Sequence, residues 1–137
     1  AEQVPKIMSN SLMVIHTESF DPAMMELVRF SVSTKIPESL MYGPCLLAYG
    51  PEGIASIDYL KENDAAYVIT QTDRLAEGLT EILSNANLRE QIMGNARALA
   101  ARNHDPEINV KKLFHCLERV IGSNQKTGET LDEGIAG

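Results

Sequence analysis

The chain has 137 residues, 44% of them hydrophobic and none tryptophan, a composition that suits one globular domain with a real core. Its net charge of −7, 12 lysines and arginines against 19 aspartates and glutamates, leaves no basic stripe to neutralise a nucleic-acid backbone. No apolar run approaches membrane-spanning length and the N-terminus lacks the regions of a signal peptide, so a cytoplasmic protein is expected.

Along the chain, Glu2 to Asn10 reads as helix. Leu12-Met13-Val14-Ile15 is short and wholly apolar, the pattern of a buried parallel strand. Asp21-Pro22 opens a helix, with aspartate as N-cap and proline in the first turn, that carries Met24, Met25, Leu27 and Val28 towards Phe30. Ser31 to Thr34 breaks it. Lys35 to Tyr42 is a short helix, with Gly43 at C′ and Pro44 as a stop. Cys45-Leu46-Leu47-Ala48-Tyr49 forms a second buried strand. A turn through Gly50 and Gly53 leads to a helix from Ile54 to Glu62, and Ala66-Tyr67-Val68-Ile69 forms a third strand. Asp73 caps a helix bearing Leu75, Leu79, Ile82 and Leu83, and Leu88, Ile92, Met93, Ala96 and Leu99 mark the next. Asp105-Pro106 repeats the cap-plus-proline opening before a stripe of Val110, Leu113, Phe114, Leu117 and Ile121. From Ser123 the sequence turns polar and aperiodic, so residues 1–122 are expected to form the domain and 123–137 a flexible tail. Cys45 and Cys116 each fall in an element expected to be buried, without metal-type spacing, and read as free thiols of a reducing compartment.

Strands alternating with helices argue for an α/β fold with a parallel sheet. Three strands is few for an open sheet, so a partial Rossmann-like sheet, the back half of a larger one, is expected. The richest stretch for chemistry is Ser33-Thr34-Lys35-Ile36-Pro37-Glu38, between the first two strands. Two hydroxyls and a lysine open a helix, whose start carries free N–H groups and partial positive charge suited to phosphate. Glu38 lies one turn on, close to the face of Thr34 and Lys35, where a carboxylate accepts hydrogen bonds from ribose hydroxyls. His16, ending the first strand, faces the crevice where open α/β sheets hold ligands. Each has a plainer reading: Lys35 as a solvated lysine, Glu38 as a surface carboxylate, His16 as a packed or capping side chain. Met24, Met25 and Met41 read as core.

These residues resemble a known family. Leu12 to Val120, about four-fifths of the chain, is similar to the C-terminal, donor-binding part of retaining glycosyltransferases of the two-domain GT-B fold, the group often called family four. Glu38-Ser39-Leu40-Met41-Tyr42-Gly43-Pro44-Cys45-Leu46 stands where that family has a glutamate, small and apolar residues, glycine and proline before a strand. Thr34-Lys35-Ile36-Pro37-Glu38 matches the Ser/Thr-Lys-Leu/Ile-x-Glu form of one subgroup, and the helix around Leu88-Arg89, Met93-Gly94 and Ala96-Arg97 matches the closing segment. The resemblance implies hexosyl transfer from a nucleoside-diphosphate sugar with retained configuration. Glu38 would hold the ribose and Ser33, Thr34 and Lys35 would lie near the phosphates. The catalytic residues are not identified, and no metal or other cofactor is implied; no Asp-x-Asp motif occurs. The family's first glutamate, eight positions before the second, falls on Phe30, leaving its role to Glu26 or Glu18. The acceptor-binding domain and the glycine-rich loop of the donor domain would lie before residue 1, so the chain alone is expected to be inactive. The rival reading is a non-catalytic nucleotide-binding or protein-interaction α/β module.

Overall fold

A computed structural model describes residues 3–128 of the chain. The elements run α1 (Gln3–Ser9), β1 (Met13–Thr17), α2 (Pro22–Val28), α3 (Ile36–Tyr42), β2 (Cys45–Tyr49), α4 (Ala55–Glu62), β3 (Tyr67–Ile69), α5 (Leu75–Ser84), α6 (Ala86–Asn103) and α7 (Pro106–Gly128). Two compact units result, one up to Arg102 and one beginning at Asn103. The first holds the sheet. The second holds α7, which continues to Gly128, past Ser123 where the tail is expected; residues 129–137 lie outside the described part.

The sheet is parallel with order β1-β2-β3, and the registers set Met13 beside Cys45, Thr17 beside Tyr49 and Leu47 beside Tyr67. β2 is central, and Cys45 to Ala48 are buried, as a strand covered on both faces requires. Strands in sequential order with right-handed connections put both crossover helices on one face. There α3 supplies Ile36 and Leu40 and α4 supplies Ile57 and Leu60. They close over Leu46 and Ala48, with Ala96, Leu99 and Ala100 of α6 and partly buried Val14 and Val68. Each fully buried leucine or isoleucine contributes about 1.5–3 kcal/mol. The opposite face is thinner: Ile82 of α5 and Ile92 of α6 pack on Cys45, with Met13, Tyr67 and Leu88 alongside. This is a partial Rossmann-like α/β fold.

Several local expectations are corrected by packing. β1 starts one residue later than Leu12 and is an edge strand, half-buried rather than enclosed, with Ile15 57% exposed. Asp21 does cap α2, its Oδ1 accepting from the Ala23 amide at 2.8 Å, and Asp105 Oδ1 accepts from Glu107 and Ile108 at 2.9 and 3.1 Å. Asp73 is no cap; it lies inside a single 3₁₀ turn, Thr72–Arg74, that runs into α5. Asn85 caps α6 instead, accepting from the Leu88 amide at 3.0 Å. Gly43 ends α3 in an extended conformation (φ −69°, ψ 152°), so its need for glycine is spatial: a Cβ there would stand 2.3 Å from the Ser39 carbonyl oxygen. Met25 packs on the core as expected, but Met24 and Met41 are exposed. Cys45 is buried while Cys116, on α7, is exposed, and both are free.

Candidate functional site

The site grows from the C-terminal end of β1. The Glu18 amide donates to the Tyr49 carbonyl at 2.9 Å, adding a rung beyond the strand and fixing the Glu18 backbone at the sheet's upper rim. Ser19 Oγ accepts from the Asp21 amide at 3.1 Å and turns the chain into α2. His16 shares the sheet face of its register partner Ala48 and reaches forward, its Nε2 3.0 Å from Glu18 Oε1, with both side chains mostly buried. His16 is therefore neither a free crevice ligand nor a plain core residue; it holds the Glu18 carboxylate. Gly50 makes this possible, because Glu18 Cβ lies only 2.8 Å from where a Gly50 Cβ would be.

The second wall is the segment between α2 and α3. The buried Ser56 of α4 pins it: Ser56 Oγ accepts from the Ser33 amide at 3.0 Å and donates to the Ser31 carbonyl at 3.2 Å. The Ala55 amide, at the start of the same helix, donates to the Arg29 carbonyl at 2.8 Å. With the loop so tied, Glu18, Ser31, Ser33 and Thr34 come together with Val28 and Val32 around a cavity of about 320 Å³. One carboxylate, three hydroxyl-bearing residues and two valines make a polar floor with an apolar side, at the low end of the size range of small-molecule sites. Nearby in sequence, Phe20 packs on Tyr49, ring centroids 5.1 Å apart, and the Tyr49 hydroxyl donates to Thr72 Oγ1 at 3.1 Å.

Of the residues singled out in the sequence, Ser33 and Thr34 line this cavity and His16 touches it through Glu18. Lys35 and Glu38 lie just beyond, exposed at the start of α3, and do not line it. The helix start is a weaker anion site than its sequence promises. The Ile36 amide is already donated to the Ser33 carbonyl, Pro37 has no N–H, and Lys35, the N-cap, makes no side-chain cap. Phe30 points away from any such role: it is 88% exposed, with the Arg29 guanidinium 5.3 Å from its ring centre. Of the two carboxylates named as substitutes, Glu18 is in the cavity. Glu26 lines a separate crevice of about 370 Å³ with Arg29 and Glu52. Ser56 was not singled out, although it stands among Ile57 and Leu60 on the buried face of α4, where a lone hydroxyl needs partners.

A third crevice, about 200 Å³, lies between β3 and α5. Tyr67 Oη donates to Glu81 Oε2 at 2.6 Å there; burial, followed by that bond to a carboxylate, pushes the Tyr67 pKa up to about 12. Arg74 pairs with Glu77 at 3.1 Å, so the charges of this crevice are engaged with one another. Among the described residues no three His, Cys, Asp or Glu side chains gather as a metal site, and no helix is long and apolar enough to cross a membrane.

Comparison with known proteins matches residues 1–115 to the family described as glycosyl transferase-like. Neither the curated proteins nor the solved structures give a match. The matched span takes in the whole sheet, the cavity at the end of β1 and every helix up to the middle of α7. The chain belongs to the glycosyl transferase-like family.

Proposed function

We propose that this chain is the donor-binding portion of a retaining, GT-B-type hexosyltransferase, and that a nucleoside-diphosphate sugar sits at the C-terminal ends of β1 and β2. The observation that carries the reading is the cavity in which Glu18, Ser31, Ser33 and Thr34 converge at the position where open α/β sheets hold ligands. In this reading the diphosphate lies over Ser33 and Thr34, whose hydroxyls donate to its oxygens, and the exposed Lys35 ammonium approaches from the rim. As the sugar–phosphate bond breaks, negative charge grows on the departing diphosphate, and these donors stabilise it without a metal. Glu38 accepts from the ribose hydroxyls. Glu18, held by His16, accepts from a sugar hydroxyl, the task that Phe30 cannot perform. A second, upstream domain binds the acceptor, so the chain by itself binds donor without turnover. Two free thiols, Cys45 and Cys116, suit a reducing, cytoplasmic setting.

Saturation-transfer NMR with UDP, GDP and ADP, on wild type, Glu18→Ala and Glu38→Ala, tests this. Contact with one diphosphate, weakened in Glu38→Ala, supports the reading. For the matching nucleoside-diphosphate sugar, Glu18→Ala should reduce contact at the sugar protons more than at the base. A folded chain that contacts none of the three contradicts it and favours the interaction-module alternative.

A further inference from the structure

The cavity at the end of β1 holds a charge whose position the fold fixes. Among the described residues that line it, Glu18 alone is ionisable; the others are Val28, Ser31, Val32, Ser33 and Thr34. The Glu18 side chain is only 15% exposed, and its Oε1 is held by His16 Nε2 at 3.0 Å. Oε2 makes no hydrogen bond to any described residue. No buried side-chain oxygen among the described residues lacks a partner, so Oε2 is not sealed in; it is open to a ligand in the cavity. The identity of the partner matters. A lysine or arginine in place of His16 would cancel the charge, whereas a neutral imidazole donates one hydrogen bond, orients the carboxylate and leaves its charge standing. The rung from the Glu18 amide to the Tyr49 carbonyl at 2.9 Å and the close approach to Gly50 fix the same residue through its backbone and Cβ. Lys35 lies beyond the lining, exposed at the start of α3. A ligand here meets one oriented acceptor and one negative charge.

We infer that the His16–Glu18 pair is a charge filter for the donor sugar: it admits a neutral hexose, one hydroxyl of which donates to Glu18 Oε2, and rejects the corresponding uronate. The inference rests on the donor reading and adds to it which sugars the site takes. A hydroxyl gives Oε2 the hydrogen it lacks. A carboxylate at C6 brings a second acceptor and a second negative charge instead, and like charges brought together cost affinity. The outcome does not depend on which hydroxyl Oε2 accepts from. A cavity of about 320 Å³ is about 8 Å across, within the Debye length of roughly 8–10 Å, so a uronate carboxylate anywhere in it feels Glu18. At that separation and an effective dielectric constant of about 20, repulsion between two unit charges weakens binding about thirtyfold. The diphosphate is common to hexose and uronate donors, so its own interaction with Glu18 drops out of the comparison.

The test is titration calorimetry at pH 8 on the chain and on Glu18→Gln, which keeps the shape and an oxygen for His16 but removes the charge. The probes are matched pairs: UDP-glucose with UDP-glucuronate, GDP-mannose with GDP-mannuronate, and ADP-glucose with its C6 acid, each beside the free diphosphate. For the base that binds, the wild-type chain should hold the hexose about thirtyfold more tightly than the uronate, and in Glu18→Gln the ratio should fall to about threefold or less. A general loosening of the site weakens both members of a pair alike, so the ratio reads the charge and not the fold. Free diphosphate bound, with hexose and uronate held within about threefold of each other by the wild type, overturns the filter and leaves the donor reading standing. So does a preference that survives undiminished in Glu18→Gln. Binding of none of the diphosphates overturns the donor reading and the filter with it.

Discussion

Replacing Ser56 by alanine removes one oxygen from the buried face of α4, yet its effect should be felt in the cavity. That hydroxyl is 0% exposed and joins two main-chain groups of the loop from Ser31 to Thr34, the Ser33 N–H at 3.0 Å and the Ser31 carbonyl at 3.2 Å. A made hydrogen bond contributes about 0.5–1.5 kcal/mol net, and a buried group left without one costs about 1–3 kcal/mol. Ser31 is exposed and Ser33 half-buried, so water reaches part of the loop and the lower half of the summed range applies. A loss of about 2 kcal/mol is expected, which at a urea slope of about 2 kcal/mol per molar lowers the midpoint by about 1 M. The loop also loses its tether, so affinity for the bound diphosphate should fall by about tenfold, equivalent to about 1.4 kcal/mol. Urea melts followed by circular dichroism give the first number and titration calorimetry the second. Ser84→Ala is the control, an exposed α5 hydroxyl that bonds back within its own helix, to the Thr80 and Glu81 carbonyls at 2.8 and 3.1 Å. A Ser56→Ala midpoint no lower than that of Ser84→Ala would refute the reasoning.

Gly50→Ala places a methyl 2.8 Å from Glu18 Cβ and 3.0 Å from Ile57 Cδ1, so it should cost about 1–3 kcal/mol and displace Glu18. Paired melts and donor titrations check it, and a stable variant with full affinity for the nucleoside-diphosphate sugar would count against Glu18. Gly43→Ala should be at least as damaging to the fold, because its neighbour at 2.3 Å is the main-chain oxygen of Ser39 and cannot rotate away; its melting temperature is the readout. Burial raises the Cys45 thiol from its ordinary 9.0 to about 11, against a smaller lowering by Arg89. A group with a raised pKa in the fold stabilises it fully below the unfolded value and ceases to do so as pH climbs through the folded one. Stability should therefore decline between pH 9 and 11, by up to about 2–3 kcal/mol from this group, and less so in Cys45→Ala. In native protein at pH 8 a thiol reagent should modify Cys116 quickly and Cys45 only on unfolding; two fast thiols would contradict the burial of Cys45.

The alternation of apolar strands with capped helices was legible because it rests on local chemistry. Asp21-Pro22 and Asp105-Pro106 cap their helices as read, and the buried run Cys45 to Tyr49 is the central strand. What the sequence concealed depends on partners distant along the chain. β1 has the composition of a buried strand but, among the described residues, only one neighbouring strand, which no local pattern reveals. The stripe on α7 reads as a core face, yet Leu113, Phe114 and Leu117 are about half exposed or more, in a separate unit. At the site, Ser33 and Thr34 were found through their position before a helix. Glu18 was named only as a substitute, and its place in the cavity follows from the rung it makes with Tyr49 and the space above Gly50. The anion-binding promise of α3 was overstated, because propensity ignores that Ser33 has already taken the Ile36 amide. Ser56 was hidden for the same reason: its partners lie 23 and 25 residues away.

The central claim, that a donor diphosphate is held at the C-terminal end of β1, is tested most directly by amide chemical-shift mapping as the best-binding nucleoside diphosphate is added to labelled chain. The account predicts that the largest shifts fall on Glu18, Ser31 to Lys35 and Gly50, and that they shrink in Thr34→Val while the spectrum stays folded. Shifts centred on the β3–α5 crevice, or none at saturating diphosphate, would contradict it.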